Sequence, residues 1–81
     1  MIRNNQELYD YVRCFADKLD SLKYSEQAEE LREAMRISTM STEILGEIRN
    51  TTQAIYHQCT HSEIKKGAEN IIHYINAALG R

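Results

Sequence analysis

The chain has 81 residues, which suits one small domain and leaves no room for two independent cores. Its formal charge is −2, from 10 Lys+Arg against 12 Asp+Glu. The basic residues are scattered from Arg3 to Arg81, which argues against a surface that tracks nucleic-acid phosphates. No 18-residue apolar run and no signal-peptide core occur, so the expectation is a cytoplasmic protein with no membrane partner, in which Cys14 and Cys59 are free thiols.

Proline is absent and glycine occurs three times, so the commonest helix breaker is missing. The first helix is expected over residues 5–22. Leu8, Val12, Phe15, Leu19 and Leu22 recur at alternating steps of four and three, which places them on one helix face. Asn4 is the expected N-cap, with Glu7 completing an Asn-x-x-Glu variant of the capping box. A shorter second helix is expected over 26–38, capped by Ser25, with Ala28, Leu31, Ala34 and Met35 as a narrow stripe. Ile37 lies about 120° off that stripe, at a bundle edge or against a partner.

Hydroxyl residues crowd the stretch 38–42, where side chains compete for backbone hydrogen bonds. The expectation is a short loop ending on Ser41 as N-cap, with a bent continuous helix as the alternative. The third helix is expected over 42–59, with the stripe Leu45, Ile48, Thr52, Ile55 and Cys59. A helical threonine can bond back to a carbonyl one turn earlier, so Thr52 can be buried without a tertiary partner. Thr60 with Glu63, or Ser62 alone, starts the fourth helix, whose stripe is Ile64, Ala68, Ile71, Ile75 and Leu79. Gly80 is its expected C′ residue. Gly67 inside it costs about 1 kcal/mol against alanine and so signals close helix approach or room for Tyr74. Short connections between helices favour antiparallel neighbours. The expected fold is all-α: an antiparallel up-down bundle of four helices, the second one short. Three long helices with an appendage are the alternative.

Few residues are left over for chemistry. The run His57-Gln58-Cys59-Thr60-His61 invites a metal reading. At about 100° per residue, Cys59 faces the apolar stripe while both histidines face nearly the opposite way, so the three cannot share an ion. His57 and His61 alone could hold one weakly if the helix persists to residue 61. His73 reads as a surface residue, and Cys14 as a flank or interface residue with no base beside it. Glu29 and Glu33, or Glu43 and Glu47, are ordinary polar-face pairs. No phosphate loop, paired-cysteine motif, H-E-x-x-H or G-x-S-x-G is present, so neither catalysis nor a cofactor is expected.

Five tyrosines remain informative. Tyr11, Tyr56 and Tyr74 fall on or beside apolar stripes. Tyr9 lies about 100° from Leu8, and Tyr24 follows the first helix. Exposed tyrosines supply rigid contact area with a polar tip, so Tyr9, Tyr24 and Ile37 are the candidate partner-binding residues.

The run A-E-E-L-R-E-A-M (28–35) and the run S-T-E-I-L-G-E-I-R (41–49), with Y-I-N-A-A-L (74–79) in the same style, resemble short helical bacterial proteins, some of immunity type. That resemblance implies neutralisation of a toxin by binding and brings no catalytic residue. The favoured expectation is therefore a non-enzymatic protein–protein interaction module of immunity or regulatory kind. The alternatives are a self-associating homodimeric bundle and a weak metal or small-ligand binder through His57 and His61.

Overall fold

The computed structural model describes residues 2–36 and 41–80. Among them run four helices, α1 (Asn5–Ser21), α2 (Ser25–Ala34), α3 (Ser41–Gln58) and α4 (Ser62–Ala78), and no strand. Cross-helix contacts fix their directions. Tyr74 donates to Asn5 at 2.7 Å, Asn70 donates to Tyr11 at 3.1 Å, and Lys18 pairs with Glu63 at 2.9 Å. The α4 number falls as the α1 number rises, so the two helices are antiparallel. Arg49 to Asn76 (3.1 Å) and Lys65 to the Tyr56 carbonyl (3.0 Å) give the same answer for α3 and α4. Gln27 reaches Gln58 across α2 and α3. The fold is thus the expected all-α up-down bundle with a short second helix. Each of α1 and α3 packs on both α2 and α4, while the backbones of α1 and α3 stand apart across a diagonal.

The apolar stripes form the core. Leu8, Val12, Phe15 and Leu19 of α1 meet Ala28, Leu31 and Ala34 of α2, Leu45, Ile48 and Ile55 of α3, and Ile64, Ala68, Ile71 and Ile75 of α4. Leu22 and Leu79, the last members of their stripes, are half-buried because each lies just beyond its helix. Cys59 behaves as the small core hydrophobe its position implies, and burial pushes its thiol pKa up. Cys14 is exposed on α1. Gly67 marks close helix approach: a Cβ built there would lie 2.7 and 2.8 Å from carbons of the Phe15 ring.

The helix ends show where local signals win. Asn4 caps α1, its side chain accepting from the Glu7 N–H at 2.9 Å. The Glu7 carboxylate turns to Arg3 instead of Asn4, accepting from its backbone N–H (3.1 Å) and its guanidinium (3.0 Å). Those hydrogen bonds hold the Glu7 pKa below its ordinary value. Helix α1 ends in a Schellman motif: the Lys23 N–H donates to the Asp20 carbonyl and the Tyr24 N–H to the Leu19 carbonyl. Lys23 occupies the left-handed position at φ 69° that glycine usually fills, whereas α4 does use Gly80 there, at φ 76°.

Other expected ends differ. Ser25 is the first helical residue of α2 and makes no cap; Tyr24 precedes the helix without a side-chain cap bond. The Schellman turn delivers the chain straight into α2, leaving no extended residue for a serine cap to occupy. Helix α2 stops at Ala34 and tightens through Met35 and Arg36, well before the expected residue 38. Helix α3 begins at Ser41 and ends at Gln58, one residue earlier at each end than expected. No box forms between Thr60 and Glu63: His61 precedes α4 without a cap bond, and Glu63 pairs with Lys18 of α1. Thr52 is fully buried, yet its Oγ1 has no hydrogen-bond partner among the described residues, so the back-bond open to a helical threonine is not made. Ile37 and most of the 38–42 connection lie outside the described residues.

Candidate functional site

Helical spacing places Tyr9, Arg13 and Asp17 on one side of α1, four residues apart. On the facing side, Arg32 lies in the last turn of α2, and Met35 and Arg36 follow in the tightened turn just beyond its end. Ile44 lies in the first turn of α3, next to buried Leu45 and rotated out of the core stripe. These seven residues line a groove of about 510 Å³ where α1 and α3 face each other across the diagonal, beside the end of α2. Tyr9, Met35 and Ile44 form its apolar floor, each half-buried against the core.

The three arginines differ in how firmly they are held. Arg32 is braced from α1 and from its own helix: Nη2 donates to Asp20 at 2.7 Å and Asp17 at 2.9 Å, and Nη1 to Glu29 at 3.4 Å. Those carboxylates raise its already high pKa, with the Asp20 hydrogen bond contributing most. The Arg32 side chain is only 29% exposed, so it is a fixed post in the groove wall. Arg13 and Arg36 are at the rim, 60% and 62% exposed. Their partners are near in sequence: Arg13 pairs with Asp10 of α1 at 3.1 Å, and Arg36, just past α2, pairs with Glu33 at 3.1 Å and Glu29 at 3.9 Å of that helix. Exposed pairs of this spacing contribute about 0–1 kcal/mol and exchange partners easily.

The tyrosines divide into two groups. The Tyr11 hydroxyl accepts from Asn70, the Tyr74 hydroxyl donates to Asn5, and the Lys65 ammonium stands 4.3 Å from the Tyr56 ring centre. These three are boundary residues already engaged with the fold. The hydroxyls of Tyr9 and Tyr24 have no partner among the described residues. Tyr24 packs against the core beyond the end of α1 and does not line the Tyr9 groove. Tyr9 and the end of α1 lie about 18 Å apart along the axis, so the two tyrosines do not share a site. Sequence reasoning missed Arg13, Arg32, Arg36 and Ile44. The i,i+4 relation of Tyr9 to Arg13, and of Arg32 to Arg36, was the available signal.

The histidines do not converge. His57 is exposed on α3, its ring edge-on to Tyr56, and α3 stops before His61. The unbroken helix needed to put both histidines on one face is therefore missing. No group of three metal-ligating side chains occurs among the described residues. A second groove, of about 520 Å³ between α3 and α4, holds His57, His73 and Glu69. A third, of about 340 Å³ between α1 and α4, holds Cys14 with Lys18 and Lys66 but no histidine. No described helix is long and apolar enough to cross a membrane.

No family model matches the chain, and no curated protein or solved structure matches it either.

Proposed function

We propose that this chain is a non-enzymatic binding module that seats a protein partner in the groove between α1, α2 and α3. The observation that carries the reading is Tyr9: a hydroxyl with no partner among the described residues, on a half-buried ring over an open floor shared with Met35 and Ile44. Tyrosine and arginine around an apolar centre are the residue types that dominate binding energy at protein interfaces. The resemblance of residues 28–35 and 41–49 to short helical bacterial proteins, some of immunity type, favours a module of immunity or regulatory kind, working in a cytoplasmic setting.

Affinity capture from native lysate at native abundance tests it, comparing the wild-type chain with Tyr9→Ala, Ile44→Ser and, as a control on another face, His73→Ala. Circular dichroism verifies that each variant is folded. The expected result is a partner retained by wild type and His73→Ala and lost by the two groove variants. A partner retained by all four, or none at all, overturns the reading. Light scattering on the same samples separates a foreign partner from a second copy.

A further inference from the structure

We infer that α2 is a latched strap: it undocks from the bundle by itself, turning on the Lys23 corner, while α1, α3 and α4 stay packed, and Arg32 is the latch. The architecture allows such a step. Helix α2 packs on α1 and α3, and its backbone stands apart from that of α4. The hydrogen bonds and the ion pair that fix α4 against α1 and α3 do not involve α2. Departure of α2 therefore leaves the other three helices tied together through α4.

Helix α2 has the weakest hold of the four. It spans 10 residues, against 17 or 18 for the others. Isolated helices shorter than about 12–15 residues are marginal in water, so an undocked α2 also loses its helix. Its buried residues are Ala28, Leu31 and Ala34, which makes Leu31 its one large side chain in the core. Each of the other helices places at least three Leu, Ile, Val or Phe side chains there. Burial of apolar surface is the main force that docks a helix, and α2 supplies the least of it. Its entry is also strained: Lys23 holds a left-handed backbone at φ 69°, and Tyr24 provides no side-chain cap. Undocking frees that residue to leave the left-handed region.

Arg32 opposes the release. It sits in the last turn of α2, at the end remote from the Lys23 corner. From there one guanidinium joins α2 to two carboxylates of α1, Asp20 at 2.7 Å and Asp17 at 2.9 Å. The tie from Gln27 to Gln58 of α3 is longer, at 3.3 Å, uncharged and exposed. Opening takes Arg32 and Met35 out of the Tyr9 groove wall. The step itself needs no partner, so its test does not depend on what the groove binds.

Hydrogen exchange of the full chain, followed by nuclear magnetic resonance at low urea concentrations, tests the strap. Amides of residues 29–34 should exchange at least about tenfold faster than the slowest amides of α1, α3 and α4. Their exchange should also depend less on urea, because a local opening exposes less surface than global unfolding. Two substitutions outside α2 separate a local opening from global unfolding. Gly46→Ala in α3 should slow the slowest amides about fivefold, and Gly67→Ala, at the contact of α4 with Phe15 of α1, should speed them about fivefold. Both should leave residues 29–34 unchanged, because each site keeps its surroundings when α2 opens. Arg32→Met retains the aliphatic stem and removes the bonds to α1. It should speed residues 29–34 about fivefold, and the slowest amides by the same factor, because the opened and unfolded states both lack those bonds. Circular dichroism checks that each variant folds. Residues 29–34 as protected as the slowest amides, or following them in the two glycine variants, overturn the strap. Unchanged exchange of residues 29–34 in Arg32→Met overturns the latch.

Discussion

Thr52→Val should stabilise this protein. Thr52 is 0% exposed in the centre of the α3 stripe, and its Oγ1 finds no hydrogen-bond partner among the described residues. Burying a hydroxyl without a partner costs about 1–3 kcal/mol by protein mutational data. Valine has nearly the same shape and the same β-branch, so neither packing volume nor helix propensity changes much. The expected gain is about 1–2 kcal/mol, a substantial share of the roughly 4–12 kcal/mol typical of a chain this size. At about 4–8 °C per kcal/mol for a small domain, the melting temperature should rise by roughly 4–16 °C. Thermal and urea unfolding followed by helical circular dichroism measure it. The urea slope should stay constant, because the surface exposed on unfolding is unchanged. Thr52→Ser keeps the hydroxyl and removes the methyl, and should be less stable than wild type. A valine variant less stable than wild type would refute the reasoning: it would mean that Oγ1 bonds back to a carbonyl of its own helix.

Lys23→Gly should stabilise by about 0.5–1 kcal/mol, since Lys23 bears a left-handed backbone that costs a side-chain-bearing residue about 1–2 kcal/mol; urea unfolding showing a loss would contradict the Schellman geometry. The helical glycines should respond in opposite directions. Gly46→Ala meets nothing within 4 Å and should gain about 1 kcal/mol, whereas Gly67→Ala drives a methyl into the Phe15 ring and should lose about 1 kcal/mol. A thiol reagent should label Cys14 rapidly in the folded chain and Cys59 only on unfolding; two fast thiols would disprove the packing of Cys59. Glu7 and Glu63 have pKa values lowered by Arg3 and Lys18 respectively, mainly through side-chain hydrogen bonds. Their stabilising contribution is therefore complete above the ordinary carboxylate value of about 4.3 and is lost as pH falls through the lower folded values. Stability of the Glu7→Gln/Glu63→Gln chain should fall less steeply than wild type between about pH 5 and pH 3; parallel curves would remove these two groups from the acid response.

The bundle was legible in the sequence because its cause is periodic. Every member of the four stripes that lies inside a helix is buried or half-buried, and the Asn4 cap and the Gly80 terminus formed as their residue types imply. Signals that depended on neighbours elsewhere in the chain were not legible. Glu63 has the right spacing for a box with Thr60, but Lys18 of α1 takes it. Ser25 has the right residue type for a cap, but a left-handed lysine two residues earlier already turns the chain. The groove was half legible. Tyr9 stood out by its angle from the apolar stripe, whereas the meeting of Arg13 with Arg32 and Arg36 needs the α1–α2 reversal. Met35 reads as core from spacing alone and is half-buried in the groove because α2 ends at Ala34.

Amide chemical-shift mapping tests the account most directly. Nitrogen-labelled chain titrated with the captured partner should shift or broaden signals of Tyr9, Arg13, Met35, Arg36 and Ile44 and leave His57 and His73 unmoved. Perturbations centred on the α3–α4 face around those histidines, with the Tyr9 groove silent, would contradict it.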